Sequence, residues 1–249
     1  MIPVLMYHKI EPKKRDLYTV LLSDFKKQIS WLYEEGYRAV LPKDIFCEKL
    51  DKKVIITFDD GDISNYLYAY PLLSKYKFKC VFFVIADSVG ASSKMNWKML
   101  SEVSKDGVEI GSHSLTHQIL TKLPPDKIEY ELRRSKELIE EKINRSVELL
   151  SLPGGFYNQE VIKIAKEAGY KMIFTSDIGY DQWKGRSFLL KRFVIRGDYT
   201  LEEFKKIIEG NFCFFLCKKI EQKICRIVKN IFGIASYNWL KKRLIEKNA

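Results

Sequence analysis

An α/β fold built on a parallel sheet is what this sequence predicts, and three observations predict it. Short runs of β-branched and aromatic residues alternate with longer segments of helical periodicity, and a β-then-α order is the sign of parallel strands joined by crossover helices. The runs, such as Val54-Ile55-Ile56-Thr57-Phe58, are near-continuously apolar rather than alternating, as strands covered on both faces must be. With 249 residues, 46% of them apolar and 13% aromatic, the chain can bury one substantial core but not two large ones.

The first run, Pro3-Val4-Leu5-Met6-Tyr7-His8, reads as an apolar strand ending in an ionisable ring. Ser23 is the expected N-cap of a helix over 24–35, where Phe25, Ile29 and Leu32 make an apolar stripe and Gly36 is placed to end it. A short strand over 37–41 precedes the buried strand 54–58. Then come a helix over 65–76, a strand over 80–85, a helix starting at Trp97 and a strand over 108–110. Pro124-Pro125 opens a long charged helix over 126–144. A strand over 147–152, a helix over 159–168 and a strand over 172–175 continue the alternation, with no internal repeat and no low-complexity linker.

The acid pair Asp59-Asp60 sits where the strand 54–58 must meet solvent, at the C-terminal edge where α/β folds place chemistry. Neighbouring side chains at a strand exit point different ways, so one carboxylate can hold a metal while the other accepts a proton. Asp-Asp-Gly is also ordinary turn chemistry, and both readings stand on these residues alone. Two of the chain's three histidines follow in Gly111-Ser112-His113-Ser114-Leu115-Thr116-His117. In a helical turn two imidazoles four apart share a face, and Asp60 would complete a set of three ligands that leaves positions open for water and substrate. A surface coincidence of two histidines is the competing reading, and no Glu lies between them as in H-E-x-x-H proteases.

Thr57-Phe58-Asp59-Asp60-Gly61 and His113-Ser114-Leu115-Thr116-His117 resemble, in order and separation, the first two signature motifs of the polysaccharide deacetylases, the NodB-like carbohydrate esterases. Ser151-Leu152-Pro153-Gly154-Gly155 falls where that family has its R-x-P-x-G groove motif, with Pro153 and Gly155 matching and Ser151 standing in place of Arg. The resemblance runs from about residue 1 to about residue 205, and it favours a closed but irregular (β/α) barrel, where periodicity alone does not exclude an open sheet. No His follows His117, whereas most members carry a late one. His8 on the first strand therefore resembles the acid histidine of the circularly rearranged branch typified by poly-N-acetylglucosamine deacetylases; without the resemblance it reads as a core imidazole satisfied by a backbone carbonyl.

What the resemblance implies is a metal-dependent N-deacetylase. Asp60, His113 and His117 would hold a divalent ion, for which the ligand set suits zinc and also cobalt, nickel or iron. Asp59 would accept the proton of the attacking water and His8 would protonate the departing amine. Gly154 would offer a backbone N–H to the oxyanion, in the groove that Pro153 and Gly155 shape. Arg192, in Leu190-Lys191-Arg192-Phe193-Val194, is the candidate to replace the missing groove Arg as partner of Asp59, against the ordinary reading of a solvated Arg at a strand end. Phe156, Tyr157, Trp97 and Trp183 are candidates for stacking on sugar rings, with core packing the commoner fate of aromatics; Tyr157, just after the Pro-Gly-Gly loop, leads them.

The five cysteines, at 47, 80, 213, 217 and 225, form no C-x-x-C pair and are odd in number, which argues against a disulfide framework and a zinc ribbon. No secretory signal is seen at the start, so a cytoplasmic enzyme is expected. Residues 1–209 read as the catalytic domain and 210–249 as a basic amphipathic tail. That tail carries nine Lys or Arg against two Glu, seven of the chain's formal +11. On a helical wheel Cys213, Leu216, Cys217, Ile220, Ile224, Ile227, Val228 and Ile231 form a stripe, with Lys218, Lys219, Arg226 and Lys229 across from it. Two readings remain: a helix on an anionic membrane surface, or one whose stripe packs on the barrel under a solvated basic face. Nucleic acid is not expected, since the basicity comes with an apolar stripe and no recognised binding motif. The expected substrate is an N-acetylated amino sugar in a polysaccharide, an oligosaccharide or a lipid-linked glycan. Rival readings are an amidase or deformylase using the same site on a non-sugar substrate, and a non-catalytic carbohydrate- or membrane-binding module.

Overall fold

In the computed structural model, residues 2–46, 51–181 and 188–224 are described. The strands are β1 (Val4–Tyr7), β2 (Lys9–Glu11), β3 (Thr19–Leu21), β4 (Arg38–Ala39), β5 (Lys53–Phe58), β6 (Cys80–Val84), β7 (Val108–Ser112), β8 (Leu149–Ser151), β9 (Met172–Phe174), β10 (Leu189–Leu190) and β11 (Phe193–Val194). The helices are α1 (Leu22–Glu34), α2 (Tyr70–Lys75), α3 (Trp97–Val103), α4 (Pro125–Ile143), α5 (Gln159–Glu167) and α6 (Leu201–Ile208). Among the described residues, one nine-stranded sheet runs β10-β9-β8-β7-β6-β5-β1-β11, with β4 joining β5, and β2 pairs with β3 apart from it. Every pairing of named strands is parallel.

The two ends of that path, β10 and β11, are separated in sequence only by Lys191 and Arg192. Three peptide links reach at most about 11 Å, so the sheet must curl until its ends nearly meet. This is the irregular (β/α) barrel, and Arg192 sits in its seam.

Strand alternation divides the core in two. Val4, Ile55, Val81, Phe83, Leu149, Phe174 and Leu190 form the inner cluster. Leu5, Ile56, Phe82 and Leu150, one residue out of phase, pack outward against helix residues such as Phe25, Leu132 and Val161. The same period carries the inner face beyond the apolar part of each strand: 55, 57 and 59 on β5, 149 and 151 on β8, 111 and 113 on β7. Gly111 is required on that face, because a Cβ there would lie 2.5 Å from the Phe83 ring.

Most expected elements appear within a few residues of their predicted ends. Gly36 follows α1 with φ +80, as a helix-ending glycine should. The cap at the other end differs: β3 runs straight into α1, the N-cap is Leu21 without a side-chain bond, and Ser23 lies inside the helix. The stretch 65–76 starts as a π-type turn, Asn65–Ala69, before α2. Asn144, at φ 52, closes α4 in the left-handed conformation.

The tail also differs from its pattern. Residues 212–224 are helical, and Phe214 and Phe215, not the predicted stripe, pack toward the barrel. Phe215 lies 5.7 Å from Tyr180 and Phe214 6.4 Å from Tyr199, ring to ring. Cys213, Leu216, Cys217, Ile220 and Ile224 of the stripe are all exposed. Ile227, Val228, Ile231, Arg226, Lys229 and Cys225 lie outside the described residues, as do Cys47 and Trp183.

Candidate active site and metal centre

Parallel register aligns the site residues at one edge of the barrel. Tyr7 pairs with Phe58, so His8 and Asp59 leave their strands side by side. Asp59 N–H donates to the Tyr7 carbonyl at 2.9 Å. His113 N–H likewise donates to the Val84 carbonyl at 2.8 Å, just past β7.

Asp59 is buried, and both of its carboxylate oxygens accept hydrogen bonds, two at Oδ2 and one at Oδ1. Arg192 reaches it with two parallel bonds, Nη1 to Oδ1 at 2.8 Å and Nη2 to Oδ2 at 2.9 Å. The Ser151 hydroxyl donates to Oδ2 at 2.9 Å and accepts from Arg192 Nη2 at 2.8 Å. Arg192 also donates to the Thr175 carbonyl at 2.9 Å and to Thr57 Oγ1 at 3.2 Å, so each of its five N–H donors has a partner. Its guanidinium carbon lies 5.7 Å from the Phe83 ring centre and 5.8 Å from that of Phe174. Arg192 is completely buried and is not a solvated strand end. Burial would push the Asp59 carboxyl up, but the charge and hydrogen bonds of Arg192 outweigh it and hold Asp59 well below the usual carboxylate range. Ser151 thus makes room for an Arg arriving from the barrel seam instead of from its own loop.

Asp60, one residue on, turns away. Its φ of 71, followed by Gly61 at 63, swings the chain outward, and Lys94 Nζ holds the Asp60 carbonyl at 2.7 Å. His113 and His117 do not share a helical turn as expected. They are joined by a loop in which Ser114 and His117 both have φ 64, and this reversal brings the rings together. Among the described residues, Asp60, Ser114 and His117 are three of six non-glycine positions with positive φ, a concentration of strain typical of functional sites.

The His113 Nδ1 lies 2.8 Å from the Ser151 carbonyl, which only accepts, so Nδ1 carries the proton and Nε2 offers its lone pair. From His113 Nε2 it is 3.2 Å to His117 Nε2 and 3.5 Å to Asp60 Oδ1, and 3.6 Å separates Asp60 Oδ1 from His117 Nε2. A tetrahedral ion with bonds near 2.0–2.1 Å needs donors about 3.3–3.4 Å apart, so this set fits a divalent cation. Burial lowers the His113 pKa more than Asp59 and Asp60 raise it, which favours the neutral ligand form. Its 3.9 Å approach to Asp59 is therefore a neighbour contact and not an ion pair.

His8 is beside the pair, its ring 5.0 Å from that of Tyr18. Burial lowers its pKa against the opposing pull of Asp59 and Asp60, and its Nδ1 is buried without a hydrogen-bond partner. Such an orphan is costly unless another molecule completes it.

Pro153 is buried, and Gly154 and Gly155 have φ 65 and 72. A Cβ at Gly155 would lie 2.4 Å from Ser176, so only glycine fits there. Tyr157 is on the rim, its hydroxyl donating to Asp177 Oδ2 at 2.8 Å, while the Asp177 carbonyl accepts from Arg192 N–H at 2.9 Å. Phe156 is half-buried, and Trp97 packs against the core.

Sequence reasoning missed Glu131. From α4 its Oε2 accepts from the N–H groups of Leu115 and Thr116 at 3.0 and 2.9 Å, and its Oε1 accepts from the Thr116 hydroxyl at 2.6 Å. The Ser114 hydroxyl completes the loop by accepting from His117 N–H at 3.0 Å. The only trace in the sequence was an acid on the buried stripe of a charged helix, at Ile128, Leu132, Ser135 and Ile139.

A family described as Polysaccharide deacetylase matches residues 48–173. A Bacillus subtilis protein provisionally named a polysaccharide deacetylase, YxkH, is 33% identical over 184 residues, 72% of this chain and 65% of that one. The poly-beta-1,6-N-acetyl-D-glucosamine N-deacetylase of Staphylococcus aureus is 28% identical over 201 residues, 73% of this chain and 69% of its own. The solved Streptococcus pyogenes deacetylase PplD, in complex with acetate, superposes with a TM-score of 0.76 at 27% identity, covering 83% of this chain and 97% of that one. The match spans less than two thirds of the Bacillus subtilis relative.

Proposed function

Since this chain belongs to the polysaccharide deacetylase family, we propose that it hydrolyses the N-acetyl groups of an amino-sugar glycan, using a divalent metal ion held by Asp60, His113 and His117. The Staphylococcus aureus relative supports N-acetylglucosamine units as the substrate class. The observation that carries the reading is the Asp59–Arg192 clamp beside the three-ligand set, with Asp60 Oδ1 3.5 Å from His113 Nε2. One carboxylate is locked by a buried cation while its neighbour is left for a metal. A binding module would have no use for this division.

Bound there, the ion would supply a lowered pKa for water, from about 15.7 toward roughly 7, and polarisation of the acetamide carbonyl. Asp59, kept ionised by Arg192, is a proton acceptor at any ordinary pH. Arg192 and Ser151 fix the direction of its carboxylate, as a misplacement of about 1 Å costs a base on the order of 100-fold. His8, on the adjoining strand, is the group placed to protonate the departing amine; burial favours its neutral ring, so it takes up a proton before it can give one. Gly154 N–H supports the developing oxyanion, and Tyr157 offers a ring face at the rim for a sugar. Zinc suits the two-imidazole, one-carboxylate set; cobalt, nickel and iron also do.

The test is acetate release from N-acetylglucosamine oligomers and from small acetamides, before and after chelation and after reloading with each metal. Loss on chelation, recovery on reloading and preference for the sugar are expected. Full activity in the chelated protein, or release from small amides alone, would reject the reading.

A further inference from the structure

The helix of residues 212–224 has two working faces. One holds the barrel through Phe214, Phe215, Glu221 and Gln222. Glu221 pairs with Arg196 at 2.7 Å, and Gln222 accepts from Ile178 N–H at 3.0 Å and donates to the Ser176 carbonyl at 2.6 Å. The other face is apolar and open: Phe212, Leu216, Ile220 and Ile224 are 71%, 43%, 50% and 56% exposed. Four-residue spacing stacks them in one strip, and every exposed residue of this helix falls within an arc of roughly 160°. Lys219 and Lys223 are exposed along one margin of the strip. Scattered exposed apolar residues need no explanation, but a contiguous strip bordered by charge marks a partner surface.

We propose that this strip is a docking surface for an anionic lipid bilayer, lying in the headgroup region with Lys219 and Lys223 against the lipid phosphates. Charge selects the occupant. Residues 210–249 hold nine Lys or Arg against two Glu, and six of the nine lie in the 25 residues beyond the described helix. A second copy would bring the same cationic surface against itself, whereas an anionic bilayer accepts both the apolar strip and the charge. No helix among the described residues is long and apolar enough to cross a membrane, which fits contact along the surface. The bonds from Gln222 to Ser176 and Ile178 also tie this helix to the loop whose Asp177 contacts Tyr157 and Arg192. A docked helix would therefore hold the site's rim close to the bilayer, where a membrane-borne glycan could meet it.

The test reads lipid binding and not catalysis, so it stands or fails apart from the proposed reaction. The full chain is co-sedimented with vesicles of phosphatidylglycerol and of pure phosphatidylcholine at low and high salt. Binding to the anionic vesicles, weakened by salt and far lower on phosphatidylcholine, is expected. The triple variant Leu216→Asn, Ile220→Asn, Ile224→Asn should lose roughly 100-fold or more in partition, and Lys219→Gln with Lys223→Gln roughly tenfold. A circular dichroism melt confirms that each variant keeps its fold, and the lysine pair alone decides if the triple variant does not. Absent binding to anionic vesicles, or unchanged binding by the variants, overturns the proposal. So does a dimer by light scattering that the triple variant dissolves, because a second copy then covers the strip.

Discussion

The two carboxylates of the acid pair differ in one respect that organises the whole site: Asp59 is sealed and Asp60 is open. The Asp59 and Arg192 side chains are 3% and 0% exposed, and every Arg192 donor is used by the protein itself. The Asp60 and His117 side chains are 27% and 41% exposed, with Asp60 Oδ1 and His117 Nε2 3.6 Å apart across a gap that suits a cation. The sealed half is paid for by folding, through barrel closure at Arg192; the open half is completed only by what binds there. Substitutions in the first should therefore cost stability and activity together, and substitutions in the second should cost ligand affinity with little loss of fold.

Arg192→Met gives the largest effect. It strands a buried carboxylate, which costs on the order of 3–5 kcal/mol in stability, read by denaturant unfolding. A loss below about 1 kcal/mol would mean that the two halves do not differ as described. Adding Asp59→Leu to that variant removes both charges, and most of the stability should return while activity stays absent. Ser151→Ala removes one hydroxyl from the clamp and should cost about 1–3 kcal/mol, with kcat falling more than KM rises.

His117→Ala is the contrasting case. Stability should stay within about 0.5 kcal/mol, while zinc affinity by chelator competition falls by more than the roughly 10–100-fold typical of an outer-shell partner. Acid sensitivity separates the two halves more finely. The pKa values of His8 and His113 are lowered from 6.5, so their contribution to stability is present above that value and begins to be lost as pH falls below it. Asp59 is lowered from 3.8, so its contribution persists down to that value and is lost only below it. Asp59→Asn should therefore flatten the unfolding curve below about pH 4 and leave the step below 6.5 in place, as followed by fluorescence across a pH series.

How far the sequence carries this comparison depends on range. The strands β5, β6 and β8 and the helices α4 and α5 were legible because hydrophobic period and Pro or Gly punctuation are local signals. The candidate ligands Asp60, His113 and His117 are legible by type and spacing, although the helical turn expected for the histidines does not form: positive φ at Ser114 and His117 leaves no mark in a run of ordinary polar residues. The two-residue strands β10 and β11 carry no period at all, and with them the seam that places Arg192 was invisible. Arg192 is legible as a substitute partner only because Ser151 leaves a gap to fill. Glu131 had no comparable prompt, since its partners lie 15 and 16 residues away on a loop. Thr200 and Glu203 form a capping box, a local signal that announces α6.

The central claim is that Asp59, locked by Arg192, takes the proton while a separate set of residues holds the metal. The direct measurement is acetate release by Asp59→Asn at a metal content verified equal to that of the unaltered protein. Full metal occupancy and acetate release reduced by about 100-fold or more are expected. Substantial release by that variant, or loss of the metal together with the activity, would contradict it.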